Sequence, residues 1–152
     1  MNLRAIRLPR KITPCILVRG KPAAAARYYV SIFPGARLLS ESEITATFAV
    51  KDQKFMLLKF PKPEPTIAVS FMVMCRDQPE IDHLWKRLSA GGKVLRCGWL
   101  QDRYGIAWQI VPEVMEKLFR DRDPAKAGRA FEAMMRMRKL DIAKLQRAHA
   151  GS

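Results

Sequence analysis

The order of the predicted elements most constrains the fold, because one pattern occurs twice along the chain. Residues 11–18 form a short apolar run rich in β-branched residues, which predicts a strand. An alanine-rich stretch that starts at Pro22 predicts a helix ending near Pro34, and alternating apolar residues in 36–60 predict about three strands. The second half repeats a strand, a helix and further strands, predicted at 67–75, 79–90, 94–100 and 106–111. The sequence therefore predicts an α+β fold with two βαβββ modules.

A proline-rich segment separates the two halves. Residues 61–65 read PKPEP, and three prolines in five positions exclude a regular strand or helix. A length of 152 residues suits one domain. We therefore predict a single domain over residues 1–152, with module one at about 11–60, a connector at 61–66, module two at about 67–112 and a helical tail at 113–150.

The predicted tail is rich in methionine. Phe131, Met134, Met135 and Met137 form a flexible apolar packing surface. Such a surface suits a tail that packs on its own sheet or on a partner subunit. A promiscuous peptide-binding groove is the alternative.

Basic residues outnumber acidic ones throughout much of the chain. Twenty-eight Lys and Arg residues against 14 Asp and Glu residues give a formal net charge of +14. A field of this sign attracts anions, including nucleic acid, but the aromatic residues lie at core periods rather than beside basic residues. We therefore expect only non-specific nucleic acid binding, confined to low salt.

The sequence also predicts the compartment. No apolar run reaches the roughly 18 to 20 residues of a membrane span, and residues 1–10 lack the apolar block of a signal peptide. The cysteines Cys15, Cys75 and Cys97 are widely spaced and form no CxxC pair, which favours reduced thiols. We expect a cytoplasmic protein with no membrane partner.

Five residues of module two are candidates for ligand contact: Cys97, Trp99, Arg103, Tyr104 and Gln109. Cys97 and Trp99 alternate along a predicted strand and so share a face, although a buried core cysteine is the plainer interpretation. Gln109 is a lone amide in an apolar strand, so it needs either a ligand or a structural partner. Arg103 and Tyr104 lie in a predicted turn, where they either contact an anionic ligand or are solvated.

The histidines offer little support for catalysis. His83 is interpreted as a solvated helix residue and His149 as part of a frayed terminus. No spacing of a nucleophile with a histidine supports covalent catalysis. The catalytic residues, if the chain has any, are therefore unknown from the sequence.

Five stretches carry a family resemblance: ITPCILV, AAARYYVSIFPGARLL, IDHLWKRLSAGG, CGWLQDRYGIAWQIVP and AMMRMRKLDIAKLQRA. They resemble the PhnB-like branch of the vicinal oxygen chelate superfamily, over about residues 12–150. This branch is also labelled 3-demethylubiquinone-9 3-methyltransferase-like, and it is related to glyoxalase I, bleomycin-resistance proteins and extradiol dioxygenases. The resemblance implies paired βαβββ modules around a cleft, and a homodimer.

The resemblance also implies where a metal would bind. Metal-using members place His, Glu or Gln at four inward strand positions, which fall at Pro14, Leu57, Ser70 and Gln109 by register with the helix and the WQIVP strand. Only Gln109 offers a metal ligand, and a one-residue slip brings in Cys15 but no histidine. A divalent ion needs three or more donor side chains. We therefore expect no metal and no cofactor.

Three interpretations of function remain open. We prefer a metal-free small-molecule-binding protein that holds an apolar or aromatic ligand in the module cleft. The second is a basic scaffold that binds nucleic acid or an acidic partner. The third is an enzyme of unknown reaction, a glyoxalase-like lyase, dioxygenase or methyltransferase. Methyl transfer lacks a sequence signal, because Gly91-Gly92 ends a predicted helix instead of opening one.

Overall fold

The computed structural model describes residues 11–152. The chain divides between Pro63 and Glu64 into two compact units, so the division falls inside the proline-rich connector. Each unit contains one four-stranded mixed sheet. Two βαβββ modules followed by C-terminal helices confirm the α+β fold class expected from the sequence.

Module one contains a strand, a helix and three further strands. Its elements are β1 (Cys15–Val18), α1 (Pro22–Ile32), β2 (Arg37–Glu41), β3 (Thr45–Val50) and β4 (Gln53–Lys59). The strand order is β1-β4-β3-β2, with β1 parallel to β4 and the other neighbours antiparallel. The proline in the first turn of α1 and the alanines after it favour a helix where the sequence predicts one.

The core of module one lies between α1 and one face of the sheet. The ring of Tyr29 in α1 stacks on Phe48 with 5.3 Å between centroids, and Phe48 stacks on Phe55 at 5.1 Å. Leu57 lies two residues after Phe55 in β4 and is also fully buried. Because alternate residues of a strand share a face, these side chains all point towards α1. Burying each of them stabilises the fold by about 1.5 to 3 kcal/mol.

Module two repeats the same order. Its elements are β5 (Thr66–Cys75), α2 (Gln78–Ser89), β6 (Lys93–Val94), β7 (Trp99–Gln101) and β8 (Ile106–Pro112). The strand order is β5-β8-β7-β6, with β5 parallel to β8. The carboxylate of Asp77 caps α2 by accepting a hydrogen bond from the backbone N–H of Glu80 at 3.0 Å. The strand order repeats that of module one.

The prediction of a single strand over residues 94–100 is wrong, because a turn interrupts the strand between Val94 and Trp99. The chain forms β6 and β7 there, and between them Cys97 and Gly98 have positive φ angles of 58° and 80°. A Cβ on residue 98 would lie 2.8 Å from the carbonyl oxygen of Ile110, so only glycine fits this close approach. Because Cys97 precedes β7 in a bend, it does not share a strand face with Trp99.

The tail consists of three helices: α3 (Val114–Phe119), α4 (Pro124–Met135) and α5 (Ile142–Ala150). Their buried residues form a core of their own, made by Leu118, Ala130, Met134, Leu140 and Leu145. The tail packs on its own module, because the side chain of Gln78 in α2 donates to the carbonyl of Leu140 at 3.0 Å and accepts from the N–H of Ile142 at 2.9 Å. No helix within residues 11–152 is long and apolar enough to cross a membrane.

His149 is held in α5 rather than frayed. Its Nε2 atom lies 2.8 Å from a carboxylate oxygen of Asp121. Arg129 donates to the carbonyls of Ala148 and His149 at 3.0 and 2.9 Å, which are carbonyls of the last turn of the helix. The frayed terminus expected from the sequence is therefore wrong.

Candidate functional site

Each sheet has one face packed under a helix. The opposite face, called the open face here, is half-buried or exposed at most positions, but Thr47 and Ala49 in module one and Ala107 and Val111 in module two are buried there. In module one, the Cα partners Cys15, Met56 and Thr47 lie on the face opposite Leu57. The hydroxyl of Thr47 lies 2.6 Å from that of Ser40 on the neighbouring strand. The inward position assigned to Leu57 from the sequence is therefore wrong by one residue, because Leu57 packs under α1.

The open face of module two carries a row of three Cα partners: Met72 in β5, Gln109 in β8 and Trp99 in β7. We call these residues, with Ser70, the amide row. Met72 is 55% exposed, and Gln109 and Trp99 are half-buried. The neighbouring row on the other face contains Trp108, which is 2% exposed. The amide row is therefore the accessible side of this sheet.

The Gln109 amide has one partner in the row. Its Nε2 atom donates to the hydroxyl of Ser70 at 2.9 Å. Within residues 11–152 no other hydrogen bond involves the Gln109 side chain, so its Oε1 oxygen is an unused acceptor and the Ser70 hydroxyl an unused donor. Ser70 is therefore the structural partner of Gln109, which the sequence could not identify. The Oε1 acceptor of Gln109 and the hydroxyl donor of Ser70 remain available to a ligand.

Cys97 lies away from the amide row, in the bend that contacts the tail. Its backbone N–H donates to the carbonyl of Met137 at 2.9 Å, and its Sγ atom lies 3.6 Å from the sulfur of Met135. The expected pairing of Cys97 with Trp99 on one strand face is therefore wrong. Of the five candidates, the structure brings together only Trp99 and Gln109 as strand partners.

Arg103 and Tyr104 lie in the turn between β7 and β8, as predicted. The carboxylate of Asp102 organises this turn by accepting from the N–H groups of Tyr104 and Ile106 at 2.8 and 3.1 Å and from the indole Nε1 of Trp108 at 2.9 Å. Burial raises the pKa of the Tyr104 phenol, the Arg103 guanidinium opposes this, and Asp102 adds to it. The phenol therefore stays neutral and able to donate a hydrogen bond.

Asp102 was not predicted as a functional residue from the sequence. It is one of two polar residues that the described chain buries almost completely, at 3% exposure. An acid between a strand and a turn is too common for its buried role to be seen in the sequence. The signal that could have revealed it is the indole N–H of Trp108, which needs a partner once the ring is buried.

The thiols differ in chemical character. All three cysteines are free, as expected, with Cys15 exposed and Cys75 buried. Burial raises the pKa of Cys75 from 9.0 to about 12, with smaller contributions from acidic residues, chiefly Glu80. Because the thiolate is the reactive form, Cys75 is a core residue rather than a nucleophile.

The metal that the superfamily resemblance implies does not fit the donors on either open face. Within the described chain, no group of three or more His, Cys, Asp or Glu side chains could hold a metal ion. Module one presents Cys15 and Thr47 on its open face, and module two presents Ser70 and Gln109. The thiol of Cys15 and the amide of Gln109 are metal ligands but lie on different sheets, and neither open face adds an imidazole or a carboxylate to them, so neither face offers the three donors that a divalent metal needs.

The modules and their strand order are those of the vicinal oxygen chelate superfamily. Residues 10–111 match the family model described as 3-demethylubiquinone-9 3-methyltransferase, and the chain belongs to this family. The match ends at residue 111, so the helices α3 to α5 lie outside it.

Solved structures support the same assignment. The chain is similar to a 3-demethylubiquinone-9 3-methyltransferase-like PhnB protein from Bacillus cereus, with 28% identity and a TM-score of 0.62 over 68% of this chain and 99% of that one. A protein from Pseudomonas aeruginosa shares the fold at 20% identity, with a TM-score of 0.60 over 69% of this chain and 98% of the other. The fosfomycin resistance protein FosX of Listeria monocytogenes shares it at 10% identity, with a TM-score of 0.53 over 72% and 98% of the two chains. A comparison with curated proteins found no match.

Proposed function

We propose that this chain is a small-molecule-binding protein that holds an apolar or aromatic ligand on the amide row of module two, without a metal ion. The hydrogen bond between Gln109 and Ser70 carries the proposal, because it leaves a paired acceptor and donor on a half-buried face where the β8 neighbours of Gln109, Ala107 and Val111, are apolar. A polar pair in apolar surroundings is typical of sites that orient a small ligand.

The row also suggests the chemistry of the ligand. The half-buried ring of Trp99 provides a flat apolar surface beside Gln109, and Met72 provides an adaptable one. A ligand with a planar ring and one neighbouring donor–acceptor pair, such as an amide or lactam edge, would satisfy both Gln109 Oε1 and the Ser70 hydroxyl. Arg103 and Tyr104 are further candidates for ligand contact from the turn, whereas Cys97 faces the tail.

We assign no reaction to this site. The family description names methyl transfer. The glycine-rich strand-to-helix turn that commonly binds a nucleotide cofactor is not formed by Gly91 and Gly92, because they follow the end of α2. The proposal includes a homodimer and a cytoplasmic location. Three free cysteines are compatible with the reducing conditions of the cytoplasm. Non-specific binding of nucleic acid at low salt stays a prediction from the net charge of +14.

A thermal-shift screen tests the proposal. The screen would contain aromatic metabolites, antibiotics, divalent metal ions and short DNA duplexes at about 0.15 M salt. A ligand at 100 times its Kd stabilises the folded state by about 2.7 kcal/mol, which raises Tm by about 5 to 10 °C for a chain of this size. We expect aromatic molecules to give this shift. A comparable shift from a metal ion or a duplex alone would contradict the proposal.

A further inference from the structure

The outer side of α4 carries an exposed apolar stripe. Its members are Pro124, Gly128, Phe131 and Met135, which lie on one side of the helix because they are spaced by four, three and four residues. Phe131 is 50% exposed and Met135 is 46% exposed. The opposite side of α4 already packs in the tail core through Ala130 and Met134. Phe131 also packs edge-on against Phe119 of α3, with 5.9 Å between ring centroids. The stripe is therefore an apolar surface about half of which the described part of its own chain leaves open.

The stripe contains a glycine, Gly128, in the interior of α4. A Cβ at this position would meet nothing within 4 Å, so no neighbouring group in the described structure requires a glycine here. Glycine is unfavourable inside a helix relative to alanine. A glycine without a side-chain neighbour, one turn before an exposed phenylalanine, suits a helix surface that another backbone approaches closely.

Positive charge is concentrated at the C-terminal end of the stripe. Arg136 and Arg138 follow α4 directly, and Arg96 precedes Cys97, whose sulfur lies 3.6 Å from that of Met135. All three arginines are exposed, and none forms an ion pair with another described residue. Glu132 is the one acidic residue within α4 itself.

We propose that the stripe on α4 binds an acidic amphipathic helix of a partner protein. The apolar side of that helix would pack on Phe131 and Met135, its backbone would approach Gly128, and its acidic residues would face the arginines. A second copy packed through its own α4 would place basic residues of one α4, such as Lys126 and Arg129, close to those of the other, which disfavours a second copy as the occupant of this stripe. The homodimer proposed above would therefore use a different surface. Nucleic acid would use the arginines but leave the stripe uncovered.

This inference is independent of the ligand proposed for module two. The family match ends at residue 111, and α4 begins at Pro124. The partner would therefore recognise a part of the chain that the family model does not include. Loss of peptide binding with ligand binding intact, or the reverse, would separate the two proposals.

A peptide titration tests the inference. The probe is a fluorescein-labelled 18-residue helix with leucines at spacings of four, three and four and glutamates at its flanks, and the control is the same composition in scrambled order. Binding is measured by fluorescence anisotropy at about 0.15 M salt, because salt at this concentration limits electrostatic attraction to a range of roughly 8 Å. We expect the patterned peptide to bind at least tenfold more tightly than the scrambled one. Equal binding of both would overturn the inference, because net charge would then suffice.

Matched variants locate the contact. Phe131→Ala and the double variant Arg136→Gln, Arg138→Gln should each weaken the patterned peptide about tenfold or more. Ile44→Ala, at an exposed apolar residue of module one, and the double variant Lys144→Gln, Arg147→Gln, on the exposed side of α5, should change it less than twofold. Loss of binding in both sets or in neither would overturn the proposal.

Gly128→Ala gives the sharpest readout, because its two effects have opposite signs. It should raise Tm, since alanine favours the helix and meets no neighbour, while it weakens the peptide at least threefold. A raised Tm with unchanged peptide affinity would contradict the close approach. Light scattering completes the test: a concentration-dependent dimer that Phe131→Ala abolishes would assign the stripe to a second copy and overturn the inference.

Discussion

The sheets of modules one and two have the same strand order but different open faces. In module one, the open-face row of Cys15, Met56 and Thr47 has its hydroxyl paired with Ser40 at 2.6 Å. In module two, the corresponding side carries an aromatic ring and an amide whose oxygen has no described partner. The duplicated architecture therefore presents two chemically different surfaces.

The difference shows which part of a module is free to vary. The face under each helix must stay apolar and closely packed, because losing a buried side chain there costs several kcal/mol. The open face is less closely packed at most positions, and where a polar side chain is buried there, as Thr47 is at 6% exposure, a hydrogen bond satisfies it. Function in this fold is therefore expected on the open faces, and only module two combines a ring with an unsatisfied amide oxygen there.

The largest expected effect is the difference in stability between substitutions on the two faces of the module one sheet. Leu57→Ala should lower the free energy of unfolding by about 2 to 5 kcal/mol, because Leu57 is fully buried beneath α1. Met56→Ala, at the next residue and on the open face, should cost about 1 kcal/mol or less. Urea denaturation measures both. Equal losses would break the assignment of the faces.

The turn of module two should give the next largest effect. Asp102→Asn removes the charge from an acid that accepts three hydrogen bonds, and should cost about 1.5 to 3 kcal/mol. Glu43→Gln, at an exposed loop residue of module one, is the control and should change stability by less than about 0.5 kcal/mol. A neutral Asp102→Asn would show that the carboxylate does not hold the turn.

The raised pKa of Cys75 predicts that the stability of module two depends on pH. The pKa of Cys75 is raised to about 12, so between its usual value of 9.0 and 12 the unfolded chain loses a proton that the folded chain keeps. Stability from this group is therefore complete below pH 9 and falls above it, by about 1.4 kcal/mol per pH unit. Urea denaturation at pH 8 and 10 should show the loss, and Cys75→Ala should reduce it. An equal loss in Cys75→Ala would contradict the assignment of this pH dependence to Cys75.

The polar pairs of the two open faces should contribute similar, small stabilities. Gln109→Leu removes the bond to Ser70, and Thr47→Val removes the bond to Ser40, each at a cost of about 1 kcal/mol or less. Thermal unfolding of both variants checks this. A loss above about 3 kcal/mol for Gln109→Leu would make the amide a structural residue rather than a ligand-binding one.

Periodicity predicted much of this fold. The helices α1 and α2 and the strands of module one appear close to the expected positions, because amphipathic spacing and proline or glycine stops are local signals. The bend at Cys97 was not predictable, because it depends on carbonyls of Met137 and Arg138, which are about 40 residues away. A non-glycine residue with positive φ has no reliable sequence signal.

The candidate site was predicted in part. Gln109 stood out because an amide in an apolar strand needs a partner, and Trp99 lies beside it as its strand partner. The partner Ser70 lies on a different strand, 39 residues away, so its pairing with Gln109 required the register of β5 against β8. The register of Leu57 failed for a similar reason, since a slip of one residue moves a side chain to the other face of the sheet.

The central claim is that module two, and not module one, binds the ligand. Isothermal titration of the aromatic molecule that gives the largest thermal shift tests it most directly, with the wild type, Gln109→Leu, Trp99→Ala and the module one variant Thr47→Val. We expect Gln109→Leu and Trp99→Ala each to weaken binding at least tenfold, which corresponds to about 1.4 kcal/mol, and Thr47→Val to leave Kd within twofold. Unchanged affinity in both module two variants, or a tenfold loss in Thr47→Val, would contradict the account.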